Sequence, residues 1–132
     1  ILVGAEEAHK VADRIAGRVA GVVLSHRVVE SRPEDGIERT NRYARLQRAG
    51  IPVAFHSAAE DGARDLPLIA AYAVTQGLSP VGALRALTAD AAAMLGIDDR
   101  VGRIAPGRHG DVVLLDGSPL DPRSRVLRVV VG

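Results

Sequence analysis

The chain has no cysteine. Disulfides and thiolate metal sites are therefore excluded, and cysteine usage says nothing about the redox compartment. Tryptophan is absent, and only Phe55, Tyr43 and Tyr72 are aromatic, so the core is expected to be built from Ala, Val, Leu and Ile. No apolar run approaches the length needed to span a membrane, and no signal peptide is visible. Lysine occurs once, at Lys10, beside sixteen arginines, and the net charge is only +1. With the arginines spread along the chain, neither nucleic acid nor an acidic membrane surface is expected as a partner, and a solvated surface is the better reading. The 132 residues are one domain's worth of chain, enough for a real core.

What is present alternates. Residues 1–3 read as the end of a buried strand, and 6–16 as a helix with Ala8, Val11, Ala12, Ile15 and Ala16 on one face. That phase puts His9 toward solvent. Residues 19–24 (VAGVVL) form the next strand, 25–33 a polar loop, and 34–49 a helix whose many arginines imply a largely wet face. Residues 51–55 (IPVAF) are a strand and 56–65 a loop. A helix over 66–76 stops at Gly77, and Ser79-Pro80 caps another over 80–87. Thr88 is a second cap for helix to Leu95, where Gly96 suits a left-handed end. A short strand, a Pro106-Gly107 turn, a buried strand over 111–116 bounded by acids, and a last strand over 125–131 complete the chain. Alternating strands and helices imply parallel pairing with right-handed crossovers. The pattern alone fits a doubly wound sheet as well as part of a (β/α)8 barrel.

The stretch from Leu95 to Pro122, LGIDDRVGRIAPGRHGDVVLLDGSPLDP after an Ala-rich helix, resembles the C-terminal portion of the amidohydrolase superfamily, in particular imidazolonepropionase-like metal-dependent hydrolases. The resemblance covers nearly the whole chain but only the last part of the family's usual length. It implies an α/β fold: residues 1–96 as the last three βα units of a TIM-type (β/α)8 barrel, and 97–132 as C-terminal strands of a small β-sandwich. Strands at 1–3, 19–24 and 51–55 would then be the sixth, seventh and eighth of the barrel. A complete barrel takes about 250 residues, and an apolar start at Ile1 without Met reads as the middle of something longer.

In such barrels the reacting groups sit at the C-terminal ends of the strands. The resemblance implies zinc or another divalent metal in active members, and an Asp on the eighth strand that takes a proton from metal-bound water. Here Gly4 falls at the expected His position of the sixth strand. Ala58 stands where the family's Asp would be, in His56-Ser57-Ala58-Ala59-Glu60-Asp61-Gly62. A metal site cannot be made from Gly4 and Ala58, so no metal or other cofactor is expected on this chain alone. Candidate catalytic residues are His56, Glu60 and Asp61. His26 and Ser57 are candidate substrate contacts; Ser57 lacks the GxSxG elbow of a nucleophile. His109 belongs to a sandwich turn. No HxH or HExxH spacing is present.

Two functions fit. One is the C-terminal part of a metal-dependent hydrolase acting on amide or cyclic amide C–N bonds, inactive without its other strands. The other is a non-catalytic interaction module that kept the scaffold and lost the metal and general-base residues. Either way, open strand edges and uncovered apolar faces imply association with the remainder of the barrel or with copies of the chain. A small molecule is the expected substrate.

Overall fold

The computed structural model describes residues 1–32, 38–57 and 62–132. Three short strands, β1 (Leu2–Val3), β2 (Val22–Leu24) and β5 (Val53–Phe55), form a parallel sheet in the order β1-β2-β5. Leu2 lies opposite Val22, and Val22 opposite Val53. Backbone bonds extend the ladder past both ends: Val22 N–H donates to Pro52 O at 2.9 Å and His56 N–H to Leu24 O at 2.8 Å. Each strand has a helix behind it: α1 (Ala12–Ile15), α2 (Arg42–Arg48) and α3 (Leu66–Thr75), with α4 (Pro80–Leu87) and α5 (Ala89–Leu95) following.

The sheet holds the core. Val22, Leu24, Val28, Tyr43, Leu46, Ile51 and Val53 are fully buried. The aliphatic expectation holds, with one addition: the Tyr43 and Phe55 rings pack at a centroid distance of 4.5 Å. Asn41 caps α2 by accepting from Ala44 N–H at 3.0 Å, and its amide donates to Ala73 O at 2.9 Å, tying α2 to α3. Ser79 caps α4 through Gly82 N–H at 3.0 Å. Gly96 ends α5 with φ 69°, the left-handed conformation that glycine adopts at little cost. Thr88 stands at the start of α5, but its hydroxyl donates back to Leu84 O at 2.8 Å and makes no cap.

Several elements differ from the sequence reading. The first helix splits into a 3-10 turn (Ala8–Val11) and the short α1. A 3-10 turn advances 120° per residue rather than 100°, which shifts the phase, and His9 is 3% exposed rather than facing solvent. Residues 25–33 are not simply a polar loop. Val28 is buried, and β3 (Val29–Arg32) pairs antiparallel with β4 (Glu38–Asn41), where the sequence suggested helix. The helix begins only at Arg42, and its first arginine is buried, not wet. No strand forms between α5 and the Pro106-Gly107 turn.

The C-terminal strands β6 (Val112–Leu115) and β7 (Val126–Val130) pair antiparallel as a separate two-stranded sheet. The flanking acids hold its ends: Asp116 accepts from Arg125 N–H at 2.7 Å and Asp111 from Gly132 N–H at 3.0 Å. β6 was expected to be buried. Instead Val113 and Leu114 are each 57% exposed, and β7 is exposed along its length. An apolar run records that a strand is suited to be covered, and none of the described residues covers it.

Candidate functional site

The C-terminal ends of β1, β2 and β5 open on one edge, where Gly4, Ser25-His26 and His56-Ser57 follow the strands. His26 and His56 are both exposed there, on neighbouring strands, and Ser57 is half-buried. Glu60, Asp61 and Ala58 lie outside the described residues. His109 sits far along the chain, before β6, with its ring 3.9 Å from Asp111.

Gly4 has φ +68°, and a Cβ placed on it would meet nothing within 4 Å. It is a turn glycine with open space beside it, in a backbone conformation that a ligating histidine would adopt only with strain. Behind it lies a polar cluster that the sequence reading did not single out. The Glu6 carboxylate accepts from Ser25 N–H at 3.2 Å and from Arg42 Nη1 at 2.6 Å. Arg42 Nη1 also reaches Arg27 O at 3.4 Å, while its Nε is buried with no hydrogen-bond partner among the described residues. The Tyr43 hydroxyl lies 2.8 Å from Leu24 O and 2.6 Å from Ser25 O, and donates its one proton between them. His9 places Nδ1 2.9 Å from Glu6 O and Nε2 2.6 Å from a Glu30 carboxylate oxygen. Lys10 pairs with Glu7 and, at 3.1 Å, with Glu30.

These contacts set the charge states. Burial alone would raise the Glu6 carboxyl, but the hydrogen bonds from Ser25 and the Arg42 guanidinium outweigh it, so Glu6 titrates below the usual carboxylate range. Burial, with the Glu6 charge adding to it, pushes the Tyr43 hydroxyl far above its ordinary value. Tyr43 is therefore a fixed donor to the end of β2. Hydrogen bonds to Glu7 and Glu30 raise Lys10. No single spacing announces this cluster, since its members come from the 3-10 turn, β3, α2 and the segments that follow β1 and β2.

Among the described residues no three His, Cys, Asp or Glu side chains converge to hold a metal ion. The one carboxylate of the cluster that faces this edge, Glu6, is already taken up by Arg42 and Ser25. The donor set described here does not fit a metal.

The family model described as "Amidohydrolase family" matches residues 36–131. The chain belongs to the amidohydrolase family, whose members typically use a divalent metal. Over 52 residues it is similar to an imidazolonepropionase from Rubrobacter xylanophilus, at 48% identity, a match covering 39% of this chain and 12% of that protein. The fold is similar to an amidohydrolase from Thermotoga maritima (TM-score 0.78, 26% identity), over 98% of this chain and 34% of that one. It is also similar to a prolidase solved with N-methylphosphonate-L-proline (TM-score 0.66, 23% identity), over 93% of this chain and 36% of that one, a likeness of fold alone. The chain thus spans about a third of the length of these solved relatives.

Proposed function

We propose that this chain provides the last three βα units of a (β/α)8 barrel and the C-terminal strands of a β-sandwich in an amidohydrolase-type enzyme that hydrolyses amide or cyclic amide C–N bonds. The observation that carries this reading is the strand order β1-β2-β5, all parallel and opening on one edge at His26 and His56. That is the edge on which barrels of this kind build their sites. His56 is the candidate proton acceptor, because imidazole titrates near neutrality, with Glu60 or Asp61 as supporting carboxylates. His26 and Ser57 contact the substrate.

The family's divalent metal would supply an activated water and polarise the carbonyl. The described residues of this chain offer it no ligand set, so its donors belong to strands supplied by the remainder of the barrel, or by further copies of the chain. Residues 1–96 and 97–132 are accordingly read as the barrel and sandwich portions.

A second reading, a non-catalytic module on the same scaffold, draws on Gly4, whose left-handed backbone holds no ligand. The two part on one substitution in the intact, zinc-loaded protein. Under the hydrolase reading, Ala58→Asp adds a carboxylate base to the one His56 supplies and raises turnover of a cyclic-amide panel by about 10²-fold or more. A folded, metal-loaded variant with no turnover supports the module.

A further inference from the structure

His9 is buried in the 3-10 turn after β1, and both of its ring nitrogens meet acceptors. Nδ1 lies 2.9 Å from the backbone oxygen of Glu6, which can only accept. Nε2 lies 2.6 Å from Glu30 on β3, so a proton must sit between that nitrogen and the carboxylate. Without it, a ring lone pair would face a carboxylate oxygen at that distance, in a site with little water to separate them. The proton has two resting places, the imidazole or the Glu30 carboxyl. The Lys10 ammonium, 3.1 Å from the other Glu30 oxygen, favours the ionised carboxylate and therefore the proton on His9.

Among the described residues, the other charged groups near the ring have partners of their own. Lys10 also pairs with Glu7, and the Glu6 carboxylate is held by Arg42 and Ser25. Arg45 of α2 donates from Nε to His9 O at 2.7 Å, fixing the backbone and not the ring. Among the described residues, Glu30 is thus the one acidic side chain hydrogen-bonded to the imidazole.

We propose that His9 is held as an imidazolium, with a proton on each ring nitrogen, and that this charge latches the β3–β4 hairpin to the edge of the parallel sheet. The short connection from β2 to that hairpin carries His26. Loss of the His9 proton therefore loosens the hairpin and frees the His26 loop, while the Lys10–Glu30 pair persists and keeps the hairpin tethered. The latch is closed at lower pH and weakens as pH rises and the ring loses its proton. The inference rests on the geometry of His9, independently of the hydrolytic reading.

The test is nuclear magnetic resonance of the intact protein at about pH 6 and about pH 9, spanning the range in which imidazoles titrate. At the lower pH both His9 ring nitrogens should carry hydrogens. Between the two, exchange of the Val29, Glu30 and Thr40 amides, corrected for intrinsic rates and referred to Val22–Leu24, should rise about tenfold, as for loss of one hydrogen bond to a charged group. His9→Gln and Glu30→Gln each remove the response; either alone suffices if the other fails to fold. An unprotonated ring nitrogen at about pH 6 with the hairpin protected, a referred exchange ratio that stays flat in the wild type, or a full response in a folded Gln variant would each overturn the proposal.

Discussion

Arg42, the first residue of α2, donates from Nη1 to the Glu6 carboxylate at 2.6 Å, joining the segment after β1 to the helix that follows the hairpin. The guanidinium is largely buried while the carboxylate is about a quarter exposed. Removing the carboxylate charge would leave an arginine whose Nε already lacks a partner among the described residues enclosed without its counter-ion.

Glu6→Gln should therefore destabilise the fold by about 2 kcal/mol at neutral pH. The sign of its pH dependence follows from the lowered titration of Glu6. The contribution is complete above the ordinary carboxylate range and is lost as pH falls through the lowered folded value. The gap between wild type and variant in urea unfolding should shrink as pH is taken from neutrality into that acid range. A gap that stays constant would show that the Glu6 charge does not act on the fold.

Gly102, in the segment that leaves α5, should be intolerant of alanine. Its φ is +88°, and an added Cβ would lie 2.7 Å from Ala92 Cβ and 3.1 Å from the backbone of Ala89 and Thr88. Strain and overpacking together should cost Gly102→Ala about 2 kcal/mol. Gly107, with similar φ but nothing within 4 Å of an added Cβ, should lose less on the same change. Equal losses in thermal unfolding would mean that the crowding at Gly102 relaxes freely.

Residues 1–132 produced by themselves should associate. Val113, Leu114, Leu127 and Val129 are all more than half exposed on β6–β7, and β1 leaves its outer edge unpaired within the described sheet. Gel filtration with light scattering at micromolar concentration should show oligomers. A stable monomer that unfolds cooperatively would count against the partial-barrel reading.

Strands with short apolar runs and helices with caps were legible from the residues: β2, β5, α3, α4 and the Gly96 cap fall where pattern and turn chemistry put them. The hairpin was not, because Glu38-Arg39-Thr40-Asn41 carries no apolar alternation and owes its pairing to Val28 and Val29 anchoring the other arm. His26 and His56 at the strand ends follow from topology alone. Burial of His9 and Arg42 does not, since each is compensated by a partner between twenty-one and thirty-six positions away, Glu30 and Glu6. A local window cannot register such a pairing.

The proposed hydrolysis of C–N bonds at this edge depends on His56. The most direct measurement is kcat/KM of the intact, zinc-loaded protein on a panel of cyclic and open-chain amides, for the wild type and His56→Asn. The account predicts measurable hydrolysis and a loss of about 10²-fold in the variant at unchanged thermal stability. No hydrolysis by the folded, metal-loaded wild type, or an undiminished rate in His56→Asn, would contradict it.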